Sequence, residues 1–187
     1  LFMVILASQS PRRQNLMKEV TDKFTVIVSN VDESKSLSLP PVEAVKDIAF
    51  RKALAVFLDH FNDTVISADT IVTIDNKIIG KPKDKEDAKK ILTYLSGKTH
   101  HVYTAYVIMA KEKISKGLVD TEVTFEELSE DLIDRYIASN SPMDKAGAYG
   151  IQDNDKFNII KKYEGSLNNI IGFPIEEIKI DLKNFED

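Results

Sequence analysis

Between Ile66 and Val72 the chain reads Ile-Ser-Ala-Asp-Thr-Ile-Val, an apolar, β-favouring stretch interrupted by a single carboxylate. An ionised aspartate withdrawn from water without a partner is strongly unfavourable, so a fold that buries this stretch must bring a cation or hydrogen-bond donors to Asp69. Thr64 to Ala68 is expected to form a short strand ending at Asp69. Ile71 to Ile79 is expected to form a hairpin turning at Asp75 and Asn76, residue types that tolerate positive φ.

Helices and strands alternate around this stretch. Phe2 to Ala7 reads as a buried strand, and Pro11 to about Val20 as a helix with Ser10 as N-cap and proline in its first turn. Phe24 to Ser29 reads as a second strand. After an irregular acidic segment, Pro41 to Phe61 carries Val42, Val45, Ile48, Ala49, Ala53 and Val56 at helical spacing. Asp84 caps a helix whose buried stripe is Ala88, Ile91, Leu92 and Leu95 and which stops at Gly97. His101 to Ala110 and Ile114 to Phe125 read as a long antiparallel pair. Ser129 caps a helix to about Ser139, Asp144 to Gln152 is a loop of small residues, and Pro174 starts a C-terminal helix. Helix-linked strands mixed with hairpins predict an α/β fold around a mixed, twisted sheet flanked by helices.

With 187 residues, 43% of them hydrophobic, the chain suits a single domain over 1–187. A net charge of -5 argues against nucleic acid as the main partner. The absence of cysteine excludes disulfides, thiolate metal sites and cysteine nucleophiles, and fits a cytoplasmic location. Leu1 to Ala7 is too short to span a membrane, and no membrane partner is expected. Met3 stands where translation could begin, with Leu1 and Phe2 ahead of it.

Ser8, Ser10, Arg12 and Arg13 lie in a strand-to-helix turn, where free N–H groups and the positive end of the helix dipole suit an anion. Arginines in a first helical turn oppose that dipole by a few tenths of a kcal/mol each, and so call for a compensating anion or for acidic side chains nearby; Ser-x-Ser-Pro is equally an ordinary helix start. Val31-Asp32-Glu33 follows one strand and Asp69 another, so carboxylates can converge and hold Mg²⁺ together with substrate phosphates. Taken alone, Asp32 and Glu33 read more simply as solvated loop acids. Lys81, in Gly80-Lys81-Pro82, can reach a phosphate as a point charge, whereas Lys52 reads locally as a lysine snorkelling along its helix face. His100 and His101 carry no zinc pattern, and phosphate-binding glycine loops and the serine-hydrolase elbow are absent. In Asp144 to Gln152 small residues permit close backbone approach, and Tyr149 and Gln152 suit contact with a base, although a tight structural turn explains the pattern equally well.

Taken in order, Leu6 to Arg13, Asp32-Glu33, Ser67 to Thr70, Gly80-Lys81-Pro82, Ser96-Gly97 with His100 and Thr104, Asp144 to Gln152 and Glu164-Gly165-Ser166 resemble the signature blocks of the Maf family of nucleoside triphosphate pyrophosphatases. The resemblance runs from about residue 3 to about residue 180. It implies a fold related to inosine triphosphatases with two lobes around a deep cleft, a small-molecule nucleotide substrate, a divalent cation (Mg²⁺ or Mn²⁺) and frequent homodimers. It further implies Asp69 as proton acceptor, with Glu33 and Lys81 beside it in catalysis and Glu33 and Asp69 at the metal. Arg12, Thr70 and Gln152 would determine specificity, and Ser8, Arg13, Lys52 and Lys81 would surround the phosphates. The Asp144 to Gln152 block is similar to the branch acting on dTTP and UTP rather than on 7-methyl-GTP. Gln9, Asp153 and Leu167 depart from the family pattern, Asp153 standing where glycine is common. The rivals to an enzyme are a regulatory nucleotide-binding protein linked to cell division or septum formation, and a nucleic-acid-binding regulator.

Overall fold

The computed structural model describes residues 3–186. Leu1, and Phe2 at the expected start of the first strand, lie outside the described residues. In chain order the elements are β1 (Val4–Leu6), α1 (Pro11–Val20), β2 (Phe24–Val26), α2 (Pro41–Phe57), β3 (Thr64–Ile74), β4 (Lys77–Ile79), α3 (Lys85–Leu95), β5 (Thr99–Ala110) and β6 (Lys113–Phe125). They are followed by α4 (Glu130–Ala138), α5 (Asn154–Phe157), β7 (Ile160–Glu164), α6 (Leu167–Ile171) and α7 (Ile175–Glu186). The sheet runs β2-β1-β3-β5-β6-β7, with β4 also paired to β3. β1 is parallel to both β2 and β3, whereas β4 on β3 and β7 on β6 are antiparallel, so the sheet is mixed as the sequence predicts.

Several local expectations hold for the stated chemical reasons. Ser10 and Asp84 accept hydrogen bonds from the third residue of their helices, at 3.4 Å from Arg13 N and 2.8 Å from Asp87 N. Ser129 does the same for Leu132 N at 3.1 Å. Asp75 and Asn76 take φ of 50° and 59°, which closes the β3–β4 turn between Ile74 and Lys77.

Two expectations are corrected, and one strand was not foreseen. β3 does not end at Asp69 but continues unbroken from Thr64 to Ile74, because a lone carboxylate does not stop a strand whose backbone is paired along the sheet. α2 ends at Phe57 instead of Phe61, its last turn closing through Asp59 N to Val56 O and His60 N to Phe57 O. β7 carries four consecutive exposed residues and so lacks the alternation that marks a strand in sequence.

The chain divides into two compact units. The first comprises Leu1–Thr70, Thr104–Val119 and Ile171–Asp187. Its core packs Leu6, Ile66, Ala68 and Ile108 of the sheet with Met17 of α1 and Ile175 and Ile178 of α7. The second comprises Ile71–Tyr103 and Asp120–Ile170. Its core joins Val72, Val102, Val123 and Phe125 to the buried stripes of α3 and α4 and to Tyr149. Among the described residues no helix is long and apolar enough to cross a membrane.

Candidate active site

In the first unit α2 is fixed against β3 by a buried bond in which the Ser67 hydroxyl donates to the Ala49 carbonyl at 2.6 Å. Lys52 follows Ala49 by nearly one helical turn, and Asp69 follows Ser67 by two residues on the same strand face. That register brings Lys52 Nζ to 2.9 Å from Asp69 Oδ1. Asp69 is buried, and the ammonium is the partner that its burial requires. The local expectation that Lys52 snorkels into solvent is thereby corrected: its side chain is 18% exposed and its charge turns inward.

The acidic segment after β2 is tied to the same helix. The Ser36 hydroxyl donates to Asp47 Oδ2 at 2.6 Å, and Arg51 Nε reaches that oxygen at 2.8 Å. This anchoring places Glu33 Oε1 3.3 Å from Lys52 Nζ, so one ammonium bridges two carboxylates. Glu33 is therefore more than a solvated loop acid. Asp32 matches that simpler reading: it is exposed and accepts the Ser34 N–H at 3.0 Å, and bonding to Ser34 holds its carboxyl below the usual range.

At the end of β1 the Ser8 hydroxyl accepts from Ser10 N at 3.1 Å, which shapes the turn into α1. Arg13 points inward from that helix. Its Nε donates to the Gly172 carbonyl at 2.8 Å and its Nη2 to the Thr70 hydroxyl at 3.0 Å, and Thr70 in turn shares a 2.8 Å bond with Thr104. Burial pulls the Arg13 guanidinium below its ordinary pKa; Asp69 opposes the shift, Arg12 adds to it and Glu33 opposes it. Ser8, Arg12, Arg13, Glu33, Lys52, Asp69 and Thr70 all belong to this unit. Glu33, Lys52 and Asp69 meet at the lysine ammonium, and Arg13 meets Thr70.

Carboxylate oxygens suit a hard divalent cation. No group of three or more His, Cys, Asp or Glu residues that could hold a metal occurs among the described residues. Glu33 and Asp69 offer two carboxylates, both in contact with Lys52 Nζ.

In the second unit Lys81 is exposed just after β4, and the adjoining Gly80 carbonyl accepts the Gly147 N–H at 3.1 Å. The Asp144 to Gln152 segment is a series of short 3-10 turns. Gln152 is exposed, with its side chain lying over Gly150: a Cβ added there would stand 2.7 Å from Gln152 Oε1 and 2.8 Å from two carbons of Lys145. Tyr149 is buried below, its hydroxyl 2.6 Å from His100 Nε2. Sequence reasoning missed Tyr136 and Ser141, and met Asp153 only as a departure from the family pattern. A tyrosine in the buried stripe of α4 was the available signal, because a buried phenol requires a polar partner.

Comparison with known proteins follows this geometry. The family model described as Maf-like protein matches residues 3–185. A dTTP/UTP pyrophosphatase of Bacillus cytotoxicus is 45% identical over 182 residues, covering 97% of this chain and 95% of that protein. A dTTP/UTP pyrophosphatase of Bacillus mycoides is 43% identical over 183 residues, covering 98% and 95%. Among solved structures, a HAM1 protein from Coxiella burnetii superposes with a TM-score of 0.55 at 16% identity, over 98% of this chain and 100% of that one, a likeness of fold.

Proposed function

The chain belongs to the Maf family, and we infer from this that it is a nucleoside triphosphate pyrophosphatase that hydrolyses dTTP and UTP to the monophosphate and pyrophosphate. Residues 1–187 act as one functional domain, cytoplasmic, that keeps the nucleotide pool clean. The observation that carries the chemistry is the Lys52 ammonium shared between Asp69 and Glu33. A binding protein has no need of a buried carboxylate paired with an ammonium, whereas a hydrolase that activates water does.

Asp69 orients the attacking water and accepts its proton. The water oxygen bonds to the α-phosphorus, and the bond from that phosphorus to the bridging oxygen breaks, its electron pair leaving with pyrophosphate. Lys52 orients Asp69, and Arg12, Arg13, Lys81 and the Ser8 turn balance phosphate charge. Glu33 would hold Mg²⁺ or Mn²⁺, which when bound would polarise phosphate oxygens and neutralise the leaving group; Asp69 serves either as its second carboxylate or as the base, since one carboxylate does not readily do both. Thr70, Arg12 and Gln152 select the substrate, with Gln152 reading the base.

The test is product analysis on a panel of natural and modified nucleoside triphosphates, with Mg²⁺, with Mn²⁺ and with chelator. Cation-dependent monophosphate plus pyrophosphate from dTTP and UTP is expected. Diphosphate plus phosphate would refute the cleavage position, and no turnover on any nucleotide would leave binding as the function.

A further inference from the structure

Gln152 sits in a segment ill suited to holding a side chain still. Ala146, Gly147, Ala148 and Gly150 precede it within six residues, the backbone runs through separate 3-10 turns, and no strand or long helix contains it. Rigidity has to come from side chains. The next residue, Asp153, receives two hydrogen bonds on a single oxygen: the Tyr136 and Ser141 hydroxyls each donate to Oδ2 at 2.7 Å. Tyr136 is wholly buried on α4, and its hydroxyl oxygen also accepts the Gly150 N–H at 3.1 Å. Ser141 Oγ in turn accepts from Lys145 Nζ at 3.2 Å, and the same ammonium reaches the Ser141 carbonyl at 2.5 Å and Asp144 Oδ1 at 2.9 Å. The Lys145 stem then passes over Gly150 beside Gln152 Oε1. The circuit closes on itself, with Gln152 held between Gly150 on one side and Asp153 on the other.

We propose that Asp153 is a positioning residue for base selection: its carboxylate clamps the Gln152 turn to α4 through Tyr136 and Ser141, and so fixes the direction in which Gln152 meets a pyrimidine base. This rests on the reading of Gln152 as the residue that contacts the base. The clamp works through hydrogen-bond acceptance at one oxygen and not through charge, so an amide oxygen can replace it.

The test measures kcat and KM on dTTP, UTP and a purine triphosphate, with thermal unfolding, for the whole chain and for Asp153→Ala, Asp153→Asn and Gln152→Ala. Loss of about one hydrogen bond's worth of orientation should lower the pyrimidine preference of Asp153→Ala roughly tenfold. The loss should appear mainly in KM, with kcat on dTTP within about threefold, and Asp153→Asn should restore most of the preference. If Asp153→Ala does not fold, Tyr136→Phe removes the phenol's donor and acceptor at nearly constant volume and should shift the ranking in the same direction. An unchanged ranking in folded Asp153→Ala or Tyr136→Phe, with Gln152→Ala altered, overturns the clamp and leaves the base-reading role intact. An unchanged ranking in Gln152→Ala as well overturns both.

Discussion

Lys52 and Asp69 meet at 2.9 Å, a lysine on α2 and an aspartate in the middle of β3, with the lysine side chain only 18% exposed. The lysine gives the buried carboxylate a counter-charge, and partial burial reduces the screening that would weaken the attraction at a surface.

Asp69→Asn is the corresponding loss-of-function variant. It keeps the shape of the side chain and a hydrogen-bonding oxygen but removes the negative charge and the capacity to take a proton. Turnover of dTTP is expected to fall by about 10²- to 10⁴-fold, the usual contribution of a general base, with nucleotide affinity changed far less. Single-turnover kinetics beside equilibrium binding separate the two, and near-wild-type turnover in a folded variant rules out the role.

Arg13 binds the Gly172 carbonyl through Nε and the Thr70 hydroxyl through Nη2, two acceptors distant in sequence. A lysine has one nitrogen and cannot reproduce that fork. Arg13→Lys should therefore destabilise the protein by about 1–3 kcal/mol, as expected when a buried acceptor loses its donor. Denaturant unfolding reads this directly, and a variant as stable as the parent removes the structural part of the role.

The contrast between Lys52 and Arg13 on one side and Asp153 on the other shows what was legible in the sequence. Caps, turns and buried stripes are local, so Ser10, Asp84, Ser129 and the Asp75-Asn76 turn could be read from neighbouring residues alone. The inward turn of Lys52 depends on the Ser67–Ala49 bond that sets helix against strand, a relationship 18 residues apart with no local signature. The position of Asp69 within a continuous strand was hidden for the same reason, since pairing with strands distant in sequence decides it. Asp153 was visible only as a departure, because its partners Tyr136 and Ser141 lie 17 and 12 residues away.

The histidine beside Tyr149 predicts acid sensitivity. His100 is fully buried against Phe125 and Tyr149, its Nδ1 has no hydrogen-bond partner, and burial, with a smaller contribution from His101, lowers its pKa to about 4. An unfolded histidine takes up its proton near pH 6.5. Between those values the unfolded chain binds more protons than the folded one, so stability falls as the pH drops from about 6.5 towards 4. At about 1.4 kcal/mol per unit the loss attributable to this residue is about 3 kcal/mol by pH 4. His100→Gln should flatten that part of the stability–pH curve whatever its effect at neutral pH, and an equal slope in both proteins would show that other groups govern the acid transition.

Gly165 provides the sharpest steric test. Its φ is 139°, in the region L side chains rarely adopt, and a Cβ there would stand 2.5 Å from Thr121 Oγ1. That hydroxyl is not free to move: it accepts the Ser166 N–H at 3.0 Å and Asn169 Nδ2 at 2.8 Å, and Thr121 is fully buried. Backbone strain and overpacking then act together, each costing about 1–3 kcal/mol. Gly165→Ala should therefore lower the unfolding free energy by about 2–5 kcal/mol. Gly80→Ala is the control, because nothing lies within 4 Å of the added carbon and the change should stay within about 0.5 kcal/mol. Equal stability of the two variants in urea unfolding would mean that the Thr121 neighbourhood gives way to the methyl group, and that Glu164-Gly165-Ser166 is a pliant loop instead of a fixed turn.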